Sequence, residues 1–192
     1  VAAFAGSVTT NTGAVTISDA NTTDIQATDI ATIDTAISGA ITVTNTIDIN
    51  GSGSEVAAAF TAIDTNTGNA TATITGNDYT VANLQTINSA TTGAISFATP
   101  NVNFTDTSAK LAIAFAGTTN HTGTLTVSNN NYNVTQLKAI NNGTSGSIII
   151  NNEDAALSGS VADIVAAFAG TITEHTGTLE ITDANTTDIT AT

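Results

Sequence analysis

One phrase recurs along this chain, and that recurrence limits the fold more than any other feature. An Ala-rich segment with a single phenylalanine appears as VAAFAG at Phe4, VAAAFTA at Phe60, LAIAFAG at Phe115 and IVAAFAG at Phe168, at intervals of 56, 55 and 53 residues. Near-identical text also links the two ends, SDANTTDIQAT around Asn21 returning as TDANTTDITAT around Asn185. A finer period lies inside. A glycine, usually preceded by Thr or Ser, opens a short alternating stretch at Gly13, Gly39, Gly68, Gly93, Gly123, Gly146 and Gly177, with steps of 26, 29, 25, 30, 23 and 31. Short and long units alternate, and each pair makes the longer period. Units of this length cannot bury an apolar face alone and must pack on their neighbours. We therefore divide the chain as one array: a partial coil 1–12, repeats 13–67, 68–122 and 123–176, and a partial coil 177–192.

After each glycine the pattern has period two, which predicts a strand. The inward set is Val15 and Ile17, Ile41 and Val43, Ile95 and Phe97, Leu125 and Val127, Ile148 and Ile150, Leu179 and Ile181, with Ala70, Ala72 and Ile74 in a shifted third unit. Thr16, Thr42, Ser96 and Thr126 alternate with them. The rest of each unit has helical spacing: Ile30, Ile33 and Ile37; Leu84 and Ile87; Leu137 and Ile140; and the Ala–Phe segments. Ser160 followed by Asp163 resembles a capping box. Long coils add an extended piece at Ile47 and Ile49, Val102 and Phe104, and Ala156 and Leu157, and Pro100 falls in a loop. The expected fold is an α/β solenoid of strand–short-helix coils with a parallel sheet. The alternative is an all-β parallel β-helix, because Thr and Asn are poor helix formers.

Charge narrows the partners. The net charge is −14 and Lys110 and Lys138 are the only basic side chains. Neutralising phosphates needs Lys or Arg, so nucleic acid and anionic membrane surfaces are excluded. No apolar run approaches the 18 residues or so of a membrane span, so no membrane insertion is expected. The chain has no cysteine and hence no disulfide or thiolate site. Charged residues are 9% against about 25% in an average soluble protein, while hydrophobic residues reach 41%. Disorder couples low hydrophobicity to high charge, and neither holds here.

The candidate sites are few. Asp19, Asn21 and Asp24, repeated as Asp183, Asn185 and Asp188, form a D-x-N-x-x-D cluster whose oxygen ligands would suit calcium. The structural reading is Asx turns and helix caps. His121 and His175, in NHTG and EHTG, take the place held by Asn11 and Asn66 in other repeats, which reads as a surface column tolerating Asn or His. Tyr79 and Tyr132 read as surface packing. Sequons begin at Asn21, Asn50, Asn69, Asn103, Asn120, Asn133, Asn142 and Asn185, permitting surface glycans. No nucleophile elbow, P-loop or HExxH stretch occurs, and no carboxylate pair stands out, so no enzyme activity is expected.

The phrases SGSVADIVAAFAG, HTGTLEITDANTTDI and TDIATIDTAISGAITV resemble the giant Thr- and Asn-rich tandem-repeat proteins of marine cyanobacteria. That resemblance implies an exported, cell-surface or secreted location and a surface-layer or filament role, and it assigns no catalytic residue. Neither end carries a divergent polar capping repeat, which predicts that the array continues, in a longer chain or by self-association end to end. The expected function is a non-enzymatic extracellular structural protein without cofactor. The alternatives are a calcium-dependent adhesin and an ice-binding solenoid that uses its Thr rows, which Ile149 and Glu180 interrupt.

Overall fold

The computed structural model describes residues 11–184. Strands and helices alternate along the chain, following the periodicity. The strands are β1 (Val15–Ile17), β2 (Asp24–Gln26), β3 (Ile41–Val43), β4 (Asp48–Gly51), β5 (Thr65–Asn66), β6 (Thr71–Ile74), β7 (Ile95–Phe97), β8 (Phe104–Asp106), β9 (Leu125–Val127), β10 (Ile148–Ile150), β11 (Leu157–Gly159) and β12 (Leu179–Ile181). The helices are α1 (Ala27–Ala36), α2 (Gly53–Ala62), α3 (Val81–Ala90), α4 (Ser108–Phe115), α5 (Val134–Asn142) and α6 (Val161–Phe168).

The expected solenoid with one stacked parallel sheet is corrected. The strands fall into four separate short sheets, β1-β3-β5, β2-β4-β6-β7, β8-β9-β10 and β11-β12, giving a small α/β arrangement with six helices among the described residues. The all-β alternative fails with it, since the helices run 8–10 residues. The unit structure supplies the physical reason. The units opened by Gly13, Gly93 and Gly146 carry two strands and that opened by Gly39 carries three, but those opened by Gly68 and Gly123 carry one, β6 and β9. Each of these pairs backward with a strand that precedes a helix, β4 or β8, and forward with a glycine-headed strand, β7 or β10. The ladder therefore changes position at both of these units, and among the described residues no sheet grows beyond four strands.

All strand pairs are parallel, and all but β3–β5 set apolar residues opposite one another, for example Val15↔Ile41, Leu125↔Ile148 and Leu157↔Leu179. The inward residues Ile41, Val43, Ile74, Ile95, Leu125, Val127 and Ile148 are fully buried and meet Ile30, Val56, Leu84, Leu111, Phe115, Leu137 and Ile140 from the helices. Each such aliphatic side chain contributes about 1.5–3 kcal/mol on burial. Leu179 and Ile181 depart from the expected inward set, at 44% and 53% exposure.

The recurring glycines mark close approach between units. A Cβ on Gly39, Gly68, Gly93, Gly123, Gly146 or Gly177 would collide with the carbonyl oxygen of Gly13, Asn45, Ala70, Val102, Gly123 or Ala155 respectively. Helix starts are fixed by side chains: complete capping boxes form at Ser52–Glu55, Thr80–Asn83 and Asn133–Gln136. Ser160 Oγ accepts from the Asp163 backbone N–H at 3.1 Å, as its spacing suggested.

Candidate functional site

The strongest concentration of unusual side chains lies in the middle of the molecule, around His121. Strand β7 delivers Phe97, β8 delivers Phe104 and the last turn of α4 delivers Phe115. Their ring centroids lie 5.8, 5.9 and 4.7 Å from the imidazole. Tyr79 stacks on Phe97 at 4.7 Å and extends the cluster. His121 is 1% exposed, which corrects its reading as a surface residue. Its Nε2 lies 2.8 Å from the Val102 carbonyl oxygen, and its Nδ1 lies 2.8 Å from Thr144 Oγ1. A carbonyl only accepts, so Nε2 carries the proton and Nδ1 accepts from the hydroxyl. Burial holds the imidazole below its ordinary range, opposed by the smaller effect of the Val102 bond. His175 holds the equivalent place one repeat later. It is half-buried, 5.3 Å from Phe168, with Nε2 3.1 Å from the Ala155 carbonyl oxygen.

Tyr79 and Tyr132 are likewise buried, at 3% and 4% exposure, so their reading as surface packing is corrected. Their hydroxyls donate to the carbonyls of Thr99 at 2.8 Å and Asn152 at 2.5 Å. Burial pushes the Tyr79 phenol up to about 12. Tyr132 is raised first by burial and then by the nearby charges of Asp154 and Glu153.

The proposed calcium ligands are dispersed in their uses. Asn21 Oδ1 accepts from the Thr46 backbone N–H at 3.0 Å, while the Thr22 N–H donates to the Thr46 carbonyl at 2.7 Å. This two-way tie joins the turn to the next unit and holds Thr22 at φ 65°, a left-handed conformation costly for a β-branched residue. Asp24 stands in register with Asp48 across β2 and β4. Asp19 is exposed, and its carbonyl accepts from Asn45 Nδ2 at 2.7 Å. Asp183 Oδ2 accepts from the Val161 N–H at 2.7 Å, at the first residue of α6. Asn185 and Asp188 lie outside the described residues. Among the described residues no three His, Asp or Glu side chains converge in a way that could hold a metal ion.

Two hollows remain. One of about 500 Å³ lies between the ends of α1 and α2, lined by Asp34, Ser38, Thr61 and Asp64 among others. It is open to solvent, and Asp64 Oδ2 is already engaged by the Ile41 N–H at 2.9 Å. A smaller one of about 170 Å³ adjoins His121, with Thr119, Asn142 and Thr144. Neither brings a nucleophile, a base and an orienting group into one line.

No helix among the described residues is long and apolar enough to cross a membrane. Compared with known proteins, the chain matches no family model, no curated protein and no solved structure.

The sequence reading missed the aromatic cage because its members sit on separate segments, the turn before α3, β7, β8, α4 and the turn after α4, spread between residues 79 and 121. Only the recurrence of His at an Asn position pointed toward it.

Proposed function

We propose that the chain is a non-enzymatic structural segment of a protein exposed outside the cell or on its surface, and that copies associate end to end. The observation that carries this reading is the use of its polar side chains. In a catalytic or ligand site, polar groups converge on accessible space. Here they reach carbonyls of the adjoining unit. Asn45 donates to Ser18, Asn88 to Ile113 and Asn141 to Ala166, over 25–27 residues of sequence and 2.7–3.1 Å of space. Thr118, Tyr79 and Tyr132 act in the same way. Among the described residues, no buried side-chain nitrogen or oxygen lacks a partner. Polarity spent in this way makes joints between units, which is what a load-bearing or surface-covering array needs. The sequence resemblance to cyanobacterial surface repeat proteins supports the same location.

The joining face we assign to β12. Its far edge has no strand beside it among the described residues, and Leu179 and Ile181 expose apolar surface where Ile41, Val43, Leu125 and Val127 are at 0–1%. An unpaired strand edge with apolar side chains is a template for another chain. The hydroxyl rows give less support to ice binding, since Thr16, Thr42 and Thr65 form a row of three and Thr105–Thr126 ends at Ile149.

Electron microscopy and light scattering of the purified chain over a range of concentrations test the reading. Elongated particles that lengthen with concentration are expected. Compact monomers at every concentration would end it. If a chelator dissolved the particles and added calcium restored them, the adhesin reading would take its place.

A further inference from the structure

The interior holds one titratable base, and its setting is unusual for a chain this acidic. From Tyr79 to Asn152 the only carboxylate is Asp106, while both lysines of the chain fall in the same stretch. His121 sits in the middle of that stretch, closed in by Phe97, Phe104 and Phe115. It bridges two neighbouring units. One nitrogen holds the Val102 carbonyl and the other holds the Thr144 hydroxyl, while the His121 carbonyl accepts from the Ser145 N–H at 2.9 Å. Thr144 Oγ1 also accepts from the Gly146 N–H at 3.0 Å. In the neutral ring every one of these bonds is satisfied at once.

We propose that His121 is an acid-operated latch: neutral, it clamps the turn after β7 to the turn after α5, and protonated, it lets the joint between α4 and α5 loosen. Two things change when the ring gains a proton. Nδ1 turns from acceptor to donor, so the Thr144 hydroxyl must reverse its role, accepting from the ring and turning its proton toward the His121 carbonyl at 3.3 Å, a longer bond than the one it leaves. A full positive charge is also placed among three phenyl rings with no carboxylate in contact, and a buried charge without a partner is costly. The charged groups on the elements packed around the ring do not relieve this. On β8 and α4 they are Asp106 and Lys110, paired with each other at 3.2 Å on the surface. On α5 the charged group is Lys138, paired to Asp163 of α6 at 2.7 Å. Strands β7 and β9 and the turn 143–146 carry none. The hollow of about 170 Å³ beside Thr144 gives the loosened turn space to move and admits water to the ring.

The sign is fixed by linkage. The folded protein binds this proton more weakly than the unfolded chain, so the latch contributes full stability above the unfolded value of about 6.5. That stability is lost as pH falls from there through the lower folded value. The device is independent of end-to-end association and would operate in a monomer.

Thermal unfolding of the whole chain and of His121→Asn, at about pH 7.5 and about pH 5, provides the first test. Asn is the residue that the repeat itself places at position 66, where its Oδ1 accepts from the Ala70 N–H at 3.0 Å. The unsubstituted protein should lose at least about 3 °C more on acidification than the variant. Carboxylate protonation acts on both proteins and cancels in that difference. An equal loss in the two would overturn the proposal. If the variant does not fold, an NMR pH titration of the imidazole C–H signals in the unsubstituted protein decides. A His121 ring still neutral below about pH 6 supports the latch, with hydrogen exchange accelerating first between residues 100 and 146. A ring that titrates at or above about 6.5 overturns it.

Discussion

Residues 11–78 and residues 79–152 are made from the same kind of unit, yet they fill their interiors and place their charges differently. The first region carries Asp19, Asp24, Asp29, Asp34, Asp48, Glu55, Asp64 and Asp78 and no basic residue. Its core is aliphatic, with Ile30, Ile41, Ile47, Ile49 and Val56 around a single Phe60. The second region carries Asp106 as its only acid and packs Tyr79, Phe97, Phe104, Phe115, His121 and Tyr132. The polar spoke that ties one unit to the next differs in parallel. In the first region it is Asn66, whose Nδ2 donates to the Ala90 carbonyl at 3.3 Å. In the second it is His121. The comparison teaches that the spoke position needs a planar group bonding on two sides. Ring or amide is then chosen by how much space the neighbouring core residues leave.

The largest effect should come from breaking the aromatic side. Phe115 is fully buried and touches both Phe104 and His121. Phe115→Ala is expected to cost about 3–5 kcal/mol, whereas Ile49→Val in the aliphatic region should cost about 0.5–1.5. Urea unfolding reads both, and similar costs would show that the two cores are not energetically distinct.

Helix caps offer a middle-sized comparison. Ser52→Ala and Thr80→Ala each remove one half of a complete box and should cost about 1 kcal/mol. The Ser52 loss should be the larger. Its partner Glu55 is an anion at the helix start, held below the usual carboxylate range first by the Ser52 backbone bond and then by its side chain. Denaturant midpoints of the two variants check the order; a larger loss at Thr80 would refute the charge argument.

The smallest effect is electrostatic. Asp24 and Asp48 stand directly opposite each other on paired strands, and like charges so placed are destabilising by a few tenths of a kcal/mol. Raising salt to about 1 M shrinks the screening length to about 3 Å. It should slow hydrogen exchange over residues 11–78 more than over 79–152. Equal protection of the two regions would remove the contrast.

Much of the local structure was legible. The glycine steps located the unit boundaries, and their reason is steric: the next carbonyl lies where a Cβ would be. Helical spacing located α1, α3 and α5 from Ile30 and Ile33, Leu84 and Ile87, and Leu137 and Ile140. The pairing of strands was not legible, because period-two alternation in a three-residue strand says which face is inward and nothing about which neighbour it meets. The His and Tyr positions were misread for a related reason. His121, Tyr79 and Tyr132 sit in polar text, NHTG, GNDYT and NNNYN, and their burial comes from units 19–23 residues away reaching back to their polar ends.

The sequence by itself determined the period, the alternation of strand and helix, the close glycine contacts and the uneven distribution of charge. These follow from residue type and spacing along one chain, where the physics is local. Only the tertiary structure decided that the strands divide among four short sheets and that a histidine ends up enclosed by three phenylalanines. The first depends on which unit stacks on which, the second on how the strands, helix and turn of one unit fold back on each other. That is settled by the summed fit of many distant side chains, and no single segment encodes it.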